Sequence, residues 1–116
     1  MPTLISTLGT DPADAALNRP VLVLRLAEYD ELRELARERA TPLLLALLGP
    51  GSAHRRTFGA SELPGLRGEL HAALVAIDAP RLPDRLVLAL TLQRLATTCG
   101  TAQELGLNLY VRVEED

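Results

Sequence analysis

The chain has 116 residues, 47% hydrophobic and 3% aromatic, and its 15 acidic and 12 basic side chains leave a net charge of −3. That length suits one domain around one hydrophobic core, and the apolar content excludes a disordered chain. Duplex nucleic-acid binders gain affinity from a basic excess and single-strand binders from aromatic platforms; this acidic chain, with only Tyr29, Phe58 and Tyr110 as rings, fits neither.

In chain order, Thr3 to Leu8 reads as a short edge strand or a loose terminus. The small, polar run 9–20 reads as a loop, so residues 1–19 are expected to be loosely held. Pro20 opens an apolar run over 21–26. Alternation sets Leu22, Leu24 and Leu26 on one face and Val21, Val23 and Arg25 on the other, which predicts a strand. Residues 29–40 read as an amphipathic helix with Tyr29, Leu32, Leu35 and Ala36 on its apolar face. Glu28, Asp30 and Glu31 lie in the first turn and Arg37 and Arg39 in the last, the order that complements the helix dipole.

Thr41 and Pro42 carry the cap and first-position signals of a new helix, about 42–48, although so short an apolar run also suits a buried strand. Residues 49–57 read as a surface loop with the strongest local positive charge, in His54, Arg55 and Arg56. A helix follows over 61–77, with Leu63, Leu66, Leu70, Leu74 and Ile77 as its stripe. Gly65 and Gly68 each weaken it by about 1 kcal/mol relative to alanine, or let another backbone come close.

After a proline-rich turn over 78–83, Asp84 is placed to cap the longest helix, 84–105. Leu88, Leu92, Leu95, Ala96 and Cys99 form its stripe. Gly100 interrupts that pattern, and Gly106 is expected to close it. Residues 107–113 alternate between Leu107, Leu109, Val111, Val113 and the polar Asn108, Tyr110, Arg112, which predicts a strand with one wet face. The tail 114–116 is acidic and expected to be solvated. The fold class is therefore α+β: a small, mainly antiparallel sheet including 21–26 and 107–113, covered on one face by three or four helices within one domain.

The residues suggest little chemistry. His54 and His71 fall on different elements without ligand spacing, and the lone Cys99 can form no intrachain disulfide and sits on an apolar stripe. Neither a nucleophile elbow nor a phosphate loop is present; Gly49 to Ser52 is the nearest approach, but Pro50 removes an N–H and the chain has no lysine. Glu62 and Glu69 share a helix face at heptad spacing, which by itself implies no acid–base pair. No catalytic residue, cofactor site or metal site is assigned.

The feature that remains is His54, Arg55 and Arg56 beside Phe58, a basic segment with an aromatic neighbour in an acidic chain. Arginine and aromatic residues are enriched at interface hot spots. These residues are the candidate contact with another protein bearing an acidic surface. The expected role is an immunity, inhibitor or adaptor protein of the cytoplasm. Alternatives are self-association into a homo-oligomer, since the leucine content exceeds what one small core readily hides, and a small enzyme with dispersed catalytic residues. No apolar stretch is long enough to span a membrane, and no nucleic-acid partner is expected.

Overall fold

The computed structural model describes residues 2–39, 41–49, 54–77 and 86–115. Four antiparallel strands form one sheet in the order β2-β1-β4-β3: β1 (Pro2–Gly9), β2 (Leu22–Leu24), β3 (His54–Phe58) and β4 (Asn108–Glu115). The first and last strands are neighbours along their whole length, from Pro2 opposite Glu115 to Gly9 opposite Asn108. One face of the sheet presents Leu4, Leu8, Leu22, Leu24, Phe58, Leu109, Val111 and Val113, all buried. Period-two alternation places Thr3, Ile5, Thr7, Val23, Arg55, Thr57, Tyr110, Arg112 and Glu114 on the other.

The described helices are α1 (Pro12–Leu17), α2 (Leu26–Arg39), α3 (Pro42–Leu48), α4 (Leu63–Ile77) and α5 (Leu86–Leu105). α2 and α5 lie against the sheet; α4 packs along α5, and α3 bridges α2 and α4. The predicted stripes are buried, except that Leu74 of α4 is only partly so and Ala73 beside it is fully buried. Tyr29, Leu32, Leu35 and Ala36 of α2 and Leu88, Leu92, Leu95, Ala96 and Cys99 of α5 join a single core with Leu63, Leu66 and Leu70 of α4. The Tyr29 hydroxyl donates to the Leu48 carbonyl at 2.6 Å, tying α2 to the end of α3. Gly106, at φ 67°, closes α5 in the left-handed conformation that glycine takes without cost.

α3 is a helix, and Pro42 takes its first position. The side chain of Thr41 makes no capping bond there. Glu69 of α4 caps α3 instead: its carboxylate accepts from Leu43 N at 3.1 Å and Leu44 N at 3.0 Å. Gly65 and Gly68 part company at the same contact. A Cβ on Gly65 would meet Leu43 Cδ1 at 2.8 Å, whereas nothing lies within 4 Å of one on Gly68. The close neighbour of Gly65 is thus a side chain, not a backbone.

The main departures from expectation are at the strand ends and the N-terminus. Residues 2–9 are neither loose nor at an edge; β1 is an interior strand. The loop expected over 9–20 contains α1, with Asp11 as N-cap (its side chain accepts from Asp14 N at 2.8 Å) and Pro12 next. β2 is shorter than the predicted 21–26, because the Arg25 carbonyl already accepts from Tyr29 N at 2.9 Å as the first turn of α2. Glu114 and Glu115, expected in a solvated tail, pair with Thr3 and Pro2 in β4. The turn over 78–83 and the Asp84 cap lie outside the described residues.

Candidate functional site

The basic segment expected as a loop is in large part the edge strand β3. Residues 54–58 pair with Val113 to Leu109 of β4, and the β-forming Thr57 and Phe58 supply the alternation. Being a strand separates the candidate residues onto two faces. Phe58 is 0% exposed, a core residue with no surface left to offer a partner. Arg56 shares its face at the rim of the core, with its guanidinium carbon 5.0 Å from the centre of the Phe58 ring and an ion pair to Glu62. The Nε of Arg56 is buried and has no hydrogen-bond partner. Arg55 and Thr57 point to the opposite, open face and are exposed. His54 joins β3 through its backbone; its side chain lies outside the described residues.

On that open face the register builds two rows. Val23, Ile5, Arg112 and Arg55 lie side by side across the four strands, and Thr7, Tyr110 and Thr57 form the row beside them. Arg112 and Arg55 are therefore direct cross-strand partners of like charge, an arrangement that costs stability. Arg112 Nε contacts Glu114 Oε1 at 3.2 Å, with both side chains about half exposed. Arg55 has no ion pair among the described residues. The Tyr110 hydroxyl lies 3.3 Å from the donating Asn108 Nδ2, which leaves the phenolic proton free to be given elsewhere.

α1 closes one side of this face. Gly9 makes that possible, since a Cβ there would lie 2.6 Å from Ala15 N. The Asn18 side chain also donates to Leu8 O at 2.8 Å and holds the end of α1 down. Pro12, Ala15 and Ala16 of α1 thus face Arg55, Thr57, Tyr110 and Arg112 across an open groove of about 320 Å³, with Ile5 and Thr7 on its floor. The side chains of Arg55 and Arg112 stand on its face, Arg56 borders it with its side chain turned to the other face, and none of the lining residues is an acid, a histidine or a cysteine. Arg55 is the groove's arginine without an ion pair among the described residues. The groove's hydroxyls, on Thr7, Thr57 and Tyr110, have no acid or histidine beside them in the lining to activate them.

The other sequence candidates are dispersed. Glu62 and Glu69 do not act as a pair: one neutralises Arg56 and the other caps α3. Cys99 is buried on α5, and burial pushes its thiol up to about 11, which keeps it protonated at neutral pH. His71 is exposed on α4. Among the described residues no three metal-ligating side chains gather, and no helix is long and apolar enough to cross a membrane.

Sequence reasoning singled out Arg55 and Arg56 but missed Arg112, Tyr110 and α1. Arg112 was legible only as the wet side of a strand, because its proximity to Arg55 is a matter of register between segments more than fifty residues apart. No protein-family model matches the chain, and neither a curated protein nor a solved structure is found to be similar to it.

Proposed function

We propose that the chain is a small protein-binding module, of the immunity, inhibitor or adaptor kind, which docks an acidic surface of another protein on the open face of its sheet. The observation that carries this reading is the cross-strand pair Arg55 and Arg112, two like charges held side by side, of which only Arg112 has an acid, Glu114, beside it. Such a pair costs folding energy, and a carboxylate arriving from a partner recovers it. The hydroxyls of the lining, Thr7, Thr57 and Tyr110, lack an acid or histidine beside them to activate them, which favours binding over catalysis.

Capture from the native cells with wild-type and Arg55→Glu protein, followed by cross-link mapping, tests the proposal. A stoichiometric partner cross-linked beside Tyr110 or Arg112, lost with Arg55→Glu and weakened by salt, is the expected result. A partner retained by Arg55→Glu removes the sheet face from the account.

A second reading is self-association. Val21, Leu86, Val87 and Leu90 are about half exposed, and Val21 and Leu90 line one shallow groove between β2 and α5. Sedimentation across a concentration series decides it. A dimer abolished by Leu90→Glu supports this reading; a monomer at high concentration ends it.

A further inference from the structure

We infer that the acidic partner segment binds as an added strand along the free edge of β3, with one carboxylate opposite Arg55 on the open face and the next residue's carboxylate beside Arg56. This rests on the acidic-docking reading and specifies the geometry of the contact.

β3 ends the sheet, and its pairing partner among the described residues is β4 alone. Alternate N–H and C=O groups of an edge strand point away from the sheet, and no turn or loop bond among the described residues takes up those of 54–58. The strand holds neither proline nor glycine, so nothing in it blocks a further ladder. Strand addition uses such an edge for affinity and the flanking side chains for specificity.

Charge selects the occupant. A residue directly opposite Arg55 on an added strand shares its face and extends the row Val23, Ile5, Arg112, Arg55 by one place. An acid there meets Arg55, the member of the arginine pair that has no ion pair among the described residues, Glu114 already lying beside Arg112. The neighbouring residue falls on the other face, beside Arg56, whose Nη2 pairs with Glu62 while its buried Nε lacks an acceptor. A second copy of this chain is the wrong occupant: full two-fold pairing of β3 with itself sets Arg56 opposite Arg56. The preferred segment is therefore extended, with two successive acids flanked by β-branched residues.

The test is an amide NMR titration of the full chain with the blocked hexapeptide Thr-Val-Glu-Glu-Val-Thr. The controls are the same peptide N-methylated at alternate residues and a version with lysine for both glutamates. The expected result is shifts centred on 54–58, slowed exchange of the β3 amides that face away from β4, loss of binding with either control, and about tenfold weaker binding by Arg55→Glu. Shifts confined to Thr7, Tyr110 and Arg112, with the N-methylated peptide binding equally well, overturn strand addition and leave acidic docking standing. No response to the acidic peptide at millimolar concentration overturns both.

Discussion

Arg55 and Arg112 stand directly opposite each other on the open face of the sheet, and only Arg112 has an acid, Glu114, beside it. Replacing one member by an acid turns a repulsive cross-strand pair into an attractive one. Arg55→Glu is therefore expected to raise the stability of the isolated protein by about 0.2–1 kcal/mol while removing its partner. Urea denaturation reads the stability, and the gain should shrink as salt is added. A clear loss of stability at low salt would mean that Arg55 is held by a contact within the fold.

Glu69 supplies the cap that Thr41 does not. Glu69→Ala leaves the first N–H groups of α3 without their acceptor and should cost about 1–2 kcal/mol. Partner binding at β3 should be unchanged, because Glu69 touches neither the sheet nor the groove. Thermal melts of Glu69→Ala and Glu69→Gln settle the point, with glutamine recovering part of the loss through its carbonyl.

Two glycines should respond in opposite directions. Gly9→Ala drives a Cβ to within 2.6 Å of the Ala15 backbone and should cost about 1–3 kcal/mol by lifting α1. Gly68→Ala meets nothing and should stabilise α4 by about 0.5–1 kcal/mol. Equal effects of the two substitutions would refute the packing of α1 on Gly9.

The Cys99 thiol is buried, and its pKa is raised from 9.0 to about 11, first by burial, with the Arg67 charge pulling the other way. The folded chain thus holds this proton more tightly than the unfolded one. Its stabilising contribution is complete below pH 9 and is lost as pH rises through about 11. A disulfide exchange reagent at pH 8 should leave Cys99 unmodified until denaturant is added. Fast labelling of the native protein would mean that α5 opens readily.

Ser6 is fully buried on the core face of β1, and its hydroxyl has no hydrogen-bond partner. Ser6→Ala removes a desolvated polar group and should leave stability unchanged or raise it by about 1 kcal/mol. A loss of similar size would point to a bond that this hydroxyl makes in solution. Denaturant midpoints with an unchanged slope give the comparison.

Periodicity alone determined the helical stripes, the wet and dry sides of β4 and the α+β class, because burial at spacings of three, four or two is written locally in residue type. Short elements carry weaker local signals. Asp11-Pro12 before Asp14 is a cap-and-proline start like Thr41-Pro42, which by itself leaves 43–48 open between helix and strand, and α1, six residues long and weakly apolar, adds no stripe to it. Leu26 fits both the strand alternation and the helical stripe, so where β2 gives way to α2 was not decidable from pattern.

Only the tertiary structure decided that β1 is interior, that Glu69 caps a helix made from residues far away in sequence, and that α1 rests on Gly9. It alone brought Arg55 beside Arg112. The reason is common to all of these: strand order, register and helix-to-helix approach depend on free energies of packing between distant segments. A single segment carries the face it will bury but not the neighbour that will bury it.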